Sequence, residues 1–349
     1  MLPDWVTQEC PDISAAHRDA ALARQAQLTK PAGSLGRLEQ LACELAGLQQ
    51  TERPRAARVP IVIFAGDHGV VAQGVSAYPQ EVTIAMMANF ASGGAAIAVL
   101  ARELGSSLEV VDAGTLAQSQ IPGIVTDKPR QGSRDFSREA ALTPTEAAFA
   151  FECGKRAVLR AGTPDMLIFG EMGIGNTTAS SAIAAALLGL GAEQVAGHGT
   201  GVDAKGRALK VGVIDRALAL HGLSRSGVSV EGVLCAVGGL EIIAICGAII
   251  AAAQRRIPVL IDGFIVSVAA LAAARLNPSC RPYLLASHRS AEQGHRLVLQ
   301  ELKLQPLIDL DLRLGEASGA AIALPLLRLA CALHNDMATF AQANVPDRA

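Results

Sequence analysis

The sequence predicts an α/β fold in which helices cover both faces of a parallel sheet, and three observations support that prediction. Short apolar runs alternate with helical stretches along most of the 349 residues, and this alternation is typical of a parallel sheet. Each run is apolar throughout, as expected of a strand that is buried on both faces. Hydrophobic residues make up 50% of the chain but aromatics only 3%, which suits alanine-rich helices packed closely on a sheet.

Five apolar runs are the predicted strands of this sheet. They span residues 59–64, 108–111, 166–169, 259–261 and 283–285. Between the second and third runs, Thr143-Pro144-Thr145-Glu146 has the pattern of a capping box with proline at the first helical position. It predicts a helix that continues to about residue 159. The longest apolar run, 242–253, is too short to cross a bilayer and predicts a buried helix.

Both ends of the chain are predicted to be helical. Residues 13–28 form one predicted helix, and a second one starts at Ser34 as its N-cap and carries a stripe of leucines. Residues 318–341 are helical and apolar on most sides, so they are expected to pack with the N-terminal helices. The prediction is a small helical domain from residues 1–54 together with 316–349, and a large α/β domain over 55–315.

Charge and cysteine usage exclude several classes of protein. The formal net charge is −2 and no basic run is present, so nucleic acid is not an expected partner. The seven cysteines form no C-x-x-C pair, which argues against a disulfide framework or a zinc site and favours the cytoplasm. The N-terminus has no secretion signal pattern, and no membrane partner is expected.

Small or acidic residues beside glycine follow each predicted strand. These strand ends are Gly66-Asp67-His68, Asp112-Ala113-Gly114, Gly170-Glu171-Met172-Gly173, Asp262-Gly263 and Ser287-His288. Core packing does not need this chemistry. Because ligands bind beyond the carboxyl ends of the strands in open α/β sheets, the pattern predicts a site that is built from several loops.

Two glycine-rich stretches are suited to binding an anion. Residues 170–178 lead into an apolar helix, whose N-terminal N–H groups attract negative charge. Residues 197–201 precede Lys205, Arg207 and Lys210 on a predicted helix. Neither stretch matches the Walker or the G-x-G-x-x-G pattern, so tight strand-to-helix turns without a ligand remain an equal alternative.

Glu316 stands in Arg313-Leu314-Gly315-Glu316, just before the last apolar helix. Acidic residues favour the first turn of a helix, so Glu316 could be a simple cap. Its apolar and small neighbours also allow desolvation, which would raise its pKa and make it a usable general base.

Taken in order, the motifs resemble one enzyme family over nearly the whole chain. They are Lys30-Pro31-Ala32-Gly33-Ser34-Leu35-Gly36, Asp67-His68-Gly69-Val70, Gly93-Gly94-Ala95-Ala96, residues 170–178, Val237-Gly238-Gly239-Leu240-Glu241, Asp262-Gly263-Phe264, His288-x-Ser290-Ala291-Glu292 and Arg313-Leu314-Gly315-Glu316. The chain resembles the nicotinate-nucleotide:dimethylbenzimidazole phosphoribosyltransferases. The resemblance implies a Rossmann-like sheet with a small helical domain, a homodimer, no cofactor and no metal.

The resemblance also implies the reaction and the residues that carry it. The 5-phosphoribosyl group of nicotinate mononucleotide would pass to 5,6-dimethylbenzimidazole with inversion at C1′, and Glu316 would be the general base. The implied nucleotide and phosphate site comprises Glu171, Gly173, Gly175, Asn176, Thr177, Gly199, Lys210, Asp262, Ser290 and Arg313. The implied base pocket comprises Tyr78, Met86, Met172 and Leu314, although ordinary core packing also explains such side chains.

Several alternatives stay open at this point. Some family members have serine at the position of Tyr78 and glutamine at that of Met86, so the acceptor base is not fixed. Where the family usually has glycine after the catalytic glutamate, this chain has Ala317. Asp262 either holds a ribose hydroxyl or caps a turn, and His288 is expected to be structural. A nucleotide N-glycosidic hydrolase, a non-catalytic nucleotide-binding protein and, last, a metal-dependent hydrolase using Asp67 and His68 are the competing functions.

Overall fold

A six-stranded parallel sheet lies at the centre of the molecule. The computed structural model describes residues 2–199, 201–224 and 227–346. The predictions that involve Met1, Thr200 or residues 347–349 therefore fall partly outside the described residues. The strands are β1 (Ile61–Gly66), β2 (Leu108–Gly114), β3 (Val125–Thr126), β4 (Leu167–Met172), β5 (Val259–Ile261) and β6 (Leu284–Ala286).

The strand order is β3-β2-β1-β4-β5-β6, and all pairs are parallel. This is the doubly wound order of Rossmann folds. The direction of winding reverses between β1 and β4, so a crevice is expected at the carboxyl ends of these two strands. The predicted fold class is thereby confirmed.

Fourteen α-helices surround the sheet within the described residues. They are α1 (Ala15–Gln27), α2 (Arg37–Gln49), α3 (Val82–Ser92), α4 (Ala96–Glu103), α5 (Pro144–Ala161), α6 (Asn176–Leu188), α7 (Ala192–Val195), α8 (Ala204–Leu220), α9 (Val230–Val237), α10 (Leu240–Gln254), α11 (Phe264–Leu276), α12 (His295–Glu301), α13 (Ser318–Asp336) and α14 (Phe340–Ala343).

All five predicted strands are present, shifted by up to three residues at their ends. The capping box is also present: the Thr143 side chain accepts from the Glu146 amide, and the Glu146 side chain accepts from the Thr143 amide. Strand β3 was not predicted, because two residues at the sheet edge, one of them exposed, leave no apolar run.

The prediction that Ser34 caps the second helix is wrong. This helix begins at Arg37, and its N-cap is Gly36, whose φ is 53°. The reason is the side chain of Glu39, which accepts from the Leu35 amide at 2.9 Å and pairs with Lys30 at 2.8 Å. These contacts hold the preceding residues in a turn outside the helix.

Close helix packing explains the small residues of this chain. In α5, a Cβ at Gly154 would collide with the Ala244 carbonyl of α10, and a Cβ at Gly247 of α10 would lie 2.5 Å from the Phe151 carbonyl. The two helices therefore meet backbone to backbone. Helix α10 contacts β1, β2 and β4 and is buried along nearly its whole length, as predicted for the run 242–253.

The C-terminal helix α13 packs against α2, α4 and β4. One continuous apolar core contains Leu41 of α2, Leu324 of α13 and Val62 of β1. The division into a large domain and a small helical domain stays a prediction.

One described segment, Val82–Glu103, is long and apolar enough to cross a membrane by length and composition alone. In the fold it consists of the two helices α3 and α4, separated at Gly93, whose φ is 84°. Helix α3 contacts β1, β2 and β4.

Candidate active site

A cavity of about 660 Å³ opens at the carboxyl ends of β4, β5 and β6. Its walls come from α3, from the loops that follow these three strands, and from the segment that leads into α13. The residues that line it are Tyr78, Val82, Met86, Glu171, Met172, Gly173, Ile174, Asn176, Thr177, Gly199, Asp262, Gly263, Phe264, Ile265, Val266, His288, Ser290, Glu292, Asp311, Leu312, Arg313, Leu314, Gly315 and Glu316.

The structure brings together nearly all the residues that the sequence pointed to. Every predicted site residue lines this cavity except Gly175 and Lys210. Those two line a smaller concavity next to it, which shares Gly173, Ile174, Asn176, Thr177 and Gly199 with the main cavity. The fold therefore joins a large chamber to a small polar recess.

The recess is formed where the loop after β4 turns into α6. Gly173 and Gly175 are required there for packing, because a Cβ at Gly173 would collide with the Gly66 carbonyl and Gly175 has a φ of 95°. The tight turn between β4 and α6 therefore explains why glycine is present at both positions, but this explanation does not exclude a bound ligand. Asn176 and Thr177, the first two residues of α6, line the recess, and the partial positive charge at a helix N-terminus attracts anions.

Lys210 supplies a positive charge to this recess. Its Nζ donates to Thr177 Oγ1 at 2.8 Å, and the side chain is almost completely buried. Burial lowers the pKa of Lys210 to about 8, because desolvation disfavours the ammonium form. An anion bound in the recess would stabilise the ammonium form of Lys210 and so raise its pKa again.

Glu316 lies in the segment before α13 and is 7% exposed. Burial raises its pKa to about 7, and the negative charge of Asp262 contributes in the same direction. Its Oε2 atom is buried without a hydrogen-bond partner. Glu316 does not cap the helix, since Ala317 occupies the N-cap position. A carboxylate of this kind is available to accept a proton near neutral pH.

A second buried carboxyl group, Glu171, lies near the end of β4 and differs from Glu316 in its surroundings. Its Oε2 accepts a short hydrogen bond from Asn176 Nδ2. Burial, followed by the charges of Asp262 and Glu241, raises the pKa of Glu171 well above the usual range. The raised pKa favours the protonated form of Glu171, which can donate a hydrogen bond into the cavity.

Apolar side chains line the side of the cavity beside α3. Tyr78 is 51% exposed and Leu314 is 57% exposed, so core packing does not account for these two. Met86 and Met172 are partly buried against the core, and the packing explanation holds for part of their surface. These four side chains, the apolar slot of the cavity, are of the kinds that contact a flat aromatic ring.

Asp67 and His68 are buried outside the cavity and do not line it. His68 Nε2 lies 2.6 Å from Glu241 Oε1, and both side chains are fully buried. Burial alone would lower the pKa of His68, but the Glu241 carboxylate outweighs it and raises that pKa. Among the described residues, no group of three or more His, Cys, Asp or Glu side chains is arranged to hold a metal ion.

His288 and Asp262 support the cavity wall from the ends of β6 and β5. His288 Nδ1 lies 2.9 Å from Ser287 Oγ, as expected of a structural histidine, although the ring also lines the cavity. Asp262 Oδ1 accepts from the Ala320 amide at 2.9 Å. This hydrogen bond matches the alternative in which Asp262 is a cap. The element that it caps is helix α13, which is distant in sequence, and not a neighbouring turn.

Several lining residues were not predicted from the sequence. Glu292 and Phe264 lie within motifs that were recognised, and their position just after a strand was the available signal. Asp311 and Leu312 carry no such signal, because they lie in an irregular segment outside the predicted elements.

Comparisons with known proteins agree with this geometry. A family model described as phosphoribosyltransferase matches residues 10–345. A nicotinate-nucleotide–dimethylbenzimidazole phosphoribosyltransferase from Bradyrhizobium diazoefficiens is 78% identical over 350 residues, covering 100% of this chain and 99% of its own. The protein of that name from Pseudomonas putida is 54% identical over 351 residues, with the same coverage.

The fold is shared with a solved structure as well. The crystal structure of the same-named enzyme from Thermus thermophilus superposes with a TM-score of 0.91 at 42% sequence identity. The match covers 96% of this chain and 100% of that one.

Proposed function

This chain belongs to the nicotinate-nucleotide–dimethylbenzimidazole phosphoribosyltransferase family, and from that premise we propose how its cavity performs the reaction. The enzyme transfers the 5-phosphoribosyl group of nicotinate mononucleotide to 5,6-dimethylbenzimidazole or a related base. The products are α-ribazole 5′-phosphate and nicotinate. The observation that carries the proposal is Glu316, a buried carboxyl group with a pKa of about 7, set between an apolar slot and an anion recess.

The 5′-phosphate binds in the recess at the start of α6. Lys210 and Thr177 already share a hydrogen bond there, and the N–H groups of α6 add a positive electrostatic potential. Gly199 lies next to both side chains, since a Cβ on it would come within 2.9 Å of Thr177 Oγ1. A residue with a side chain at position 199 would therefore crowd the two groups that we propose bind the phosphate. Gly173, Gly175, Asn176, Ser290 and Arg313 complete the nucleotide site that we propose.

The acceptor base occupies the slot between Tyr78, Met86, Met172 and Leu314. Thioether and aliphatic side chains contact both faces of a flat ring without requiring particular hydrogen bonds. The ring of Tyr78 lines the same cavity and is half exposed, so it can contact the bound base. We therefore expect 5,6-dimethylbenzimidazole to be accepted together with other benzimidazoles of similar width.

The chemistry needs a base but no general acid. The nicotinate ring of the donor is a cationic pyridinium, and its nitrogen becomes neutral as it leaves C1′. One ring nitrogen of the acceptor attacks C1′, and the other nitrogen loses its proton to Glu316 as the new bond forms. Direct attack from the opposite face inverts C1′, which converts the β-linked nucleotide into an α-linked product.

The electrostatics of the cavity suit a positively charged transition state. Departure of the pyridinium gives C1′ oxocarbenium character, as in glycoside chemistry. In its ionised form Glu316 places negative charge near this centre, and the raised pKa of Glu171 favours a protonated carboxyl group that can donate to a ribose hydroxyl. Fixed carboxylates stabilise a developing cation most strongly in a site that excludes water.

Assembly and location are further parts of the proposal. Helices α4 and α13 pack together and carry the exposed apolar side chains of Val99, Ile322 and Leu329. This surface supports a homodimer. We also propose the two-domain division at residues 55–315, and a cytoplasmic location, which the seven free cysteines support.

The test is to incubate the purified enzyme with nicotinate mononucleotide and 5,6-dimethylbenzimidazole and to follow both products by chromatography. We expect one nicotinate to be released for each α-ribazole 5′-phosphate formed, and the anomeric proton in the NMR spectrum to report the α configuration. Release of nicotinate without consumption of the base would instead identify a hydrolase.

A further inference from the structure

The turn that presents Glu316 has an unfavourable backbone conformation. Gly315, Glu316 and Ala317 have consecutive φ values of 87°, 59° and 63°. Glycine adopts this left-handed region readily, but residues with a side chain are destabilised there. Within the segment, the Ser318 amide and hydroxyl both donate to the Gly315 carbonyl, and further support for the turn comes from contacts with the rest of the molecule.

The helix that follows also has no local cap. Ala317 is the N-cap residue of α13, and it has no side-chain oxygen to accept from the first free amides. A helix start with buried, unpaired N–H groups is costly. Asp262 reduces this cost, because its Oδ1 accepts from the Ala320 amide at 2.9 Å in a buried hydrogen bond.

Three strand ends meet this helix start. Asp262 follows β5 directly, and its carboxylate faces the partial positive charge at the N-terminus of α13. His288 follows β6 and packs so closely on Gly319 that a Cβ there would collide with its ring. Gly170 of β4 packs equally closely on Ala317. Of these three, Asp262 alone forms a hydrogen bond with the helix.

We propose that Asp262 is a positioning residue for Glu316: it caps α13 from the end of β5 and thereby holds the left-handed turn that presents the Glu316 carboxylate to the cavity. The inference rests on the function proposed above, in which Glu316 is the general base. It assigns the Oδ1 atom of Asp262 to the protein itself and not to a ribose hydroxyl.

Asp262 has a second effect on Glu316 through its charge. After burial, the negative charge of Asp262 is the contribution that raises the pKa of Glu316 to about 7. The other titratable groups that line the same cavity are Tyr78, Glu171, His288, Glu292, Asp311 and Arg313. Removing the charge of Asp262 while keeping its oxygen should therefore lower the pKa of Glu316 without moving the turn.

Two variants of Asp262 separate the two effects. Asp262→Asn keeps an oxygen acceptor for the Ala320 amide, so kcat at high pH should stay within about threefold of wild type. Because the negative charge is lost, the rise of kcat with pH on the acidic side of the profile (the acidic limb) should move to lower pH by roughly half a unit or more. Asp262→Ala removes the cap, so kcat should fall by about tenfold or more at every pH, with KM for nicotinate mononucleotide nearly unchanged.

Asp112→Asn is the matched control. Asp112 is also a buried aspartate near a strand end, and its Oδ1 accepts from the Thr115 amide at 2.8 Å, but it does not line the cavity. This variant should lower the melting temperature and leave the acidic limb where it is. Should Asp262→Ala prove too unstable to assay, the limb shift of Asp262→Asn alone decides the proposal.

Two results would overturn this role of Asp262. An unmoved acidic limb in Asp262→Asn would show that its charge does not act on the base. A loss that appears mainly as a raised KM in both variants would make Asp262 a substrate ligand. Neither result would be confused with failure of the proposed function, because in that case wild-type enzyme would form no α-ribazole 5′-phosphate at all.

Discussion

Two of the buried carboxyl groups that line the cavity, Glu171 and Glu316, have pKa values that burial raises. Burial and the nearby charges of Asp262 and Glu241 raise the pKa of Glu171 well above its usual range, although the hydrogen bond from Asn176 acts in the opposite direction. Glu316 has a pKa of about 7 and is partly ionised. Two carboxyl groups in different surroundings can supply one hydrogen-bond donor and one base. The sequence could suggest that Glu316 is desolvated, but only the fold shows which carboxylate charges surround it.

Replacing Glu316 by glutamine should abolish most activity and stabilise the fold at high pH. Loss of a general base typically costs about 10²- to 10⁴-fold in rate, so kcat should fall by that factor. The folded-state pKa of Glu316 is raised from 4.5 to about 7. Stability is therefore lost as pH rises through this range, and the loss is fully present above about pH 7.

Glutamine does not titrate, so the stability of Glu316→Gln lacks this loss. The unfolding free energy of the variant minus that of wild type should therefore increase by about 2 kcal/mol from about pH 5 to about pH 8. Denaturant unfolding at the two pH values measures this difference. A stability difference that stays constant with pH would show that the pKa of Glu316 is not raised.

Replacing Lys210 by methionine should weaken binding of the phosphate. A lost charge-assisted hydrogen bond costs about 2–3 kcal/mol, so KM for nicotinate mononucleotide should rise by roughly 30- to 150-fold. Lys210 binds phosphate in its protonated form, so kcat/KM of the wild type should fall as pH rises through about 8. In steady-state kinetics, kcat/KM of the Lys210→Met variant should not show this fall with rising pH.

Lys205→Met is the control for that experiment, since Lys205 lies on the same helix but is exposed and away from the recess. It should leave KM unchanged. An unaltered KM in Lys210→Met would place the phosphate elsewhere.

At the level of single elements, helix α13 is seated directly on strand β4. A Cβ at Gly170 would lie 2.5 Å from the Ala317 amide nitrogen and 2.7 Å from Ile63 Cδ1. Neither neighbour can yield, since one is backbone and the other belongs to a buried side chain of the sheet. The position of the Glu316 turn is therefore set by the absence of a side chain on β4.

Gly170→Ala should displace the start of α13 and lower kcat by about tenfold or more, with a loss of roughly 1–3 kcal/mol in stability from overpacking. Enzyme assays and thermal melts measure the two effects. Gly212→Ala is the matched control, because the nearest atom to a Cβ there is 3.9 Å away on a flexible arginine. That control should be as active as wild type and slightly more stable. Equal activity in both variants would contradict the seating of α13 on β4.

Local sequence signals predicted some elements well and others poorly. The capping box at Thr143 specifies its helix by itself, because both hydrogen bonds lie within four residues. The start of α2 could not be predicted from Ser34. The side chain of Glu39, five residues further on, accepts from the Leu35 amide, so the residues before Arg37 form a turn that is not part of the helix. The start of α13 at Ser318 was predicted, but its cap was not, because Asp262 lies 58 residues from Ala320 in the sequence.

For the whole molecule, the alternation of strands and helices predicted a parallel sheet but not its order. Strand order depends on which crossover returns to the centre, and here the chain passes from edge strand β3 to β4 beside β1. This return creates the crevice in which the site lies. The residues after each strand could be recognised in the sequence because their chemistry is unsuited to a core, whereas residues such as Leu312 carried no signal.

The exposed apolar surface on α4 and α13 makes a prediction about assembly. We expect sedimentation to give a mass close to twice the 36.0 kDa of one chain. Ile322 is partly exposed on α13, so Ile322→Glu should shift the equilibrium towards monomers by placing a charge in the interface. Leu159→Glu is the control, because Leu159 is exposed on α5 away from that surface. A monomer at all concentrations would contradict the homodimer.

The most direct test of the central claim compares wild type and Glu316→Gln in the transfer reaction between about pH 6 and pH 9 at saturating substrates. If Glu316 takes the acceptor proton, the wild-type rate of α-ribazole 5′-phosphate formation rises with pH and levels off above about pH 7. The variant should be roughly 100-fold slower or more, and its rate should lack this limb. A Glu316→Gln enzyme that forms product within about threefold of the wild-type rate across this range would contradict the role of Glu316 as the general base.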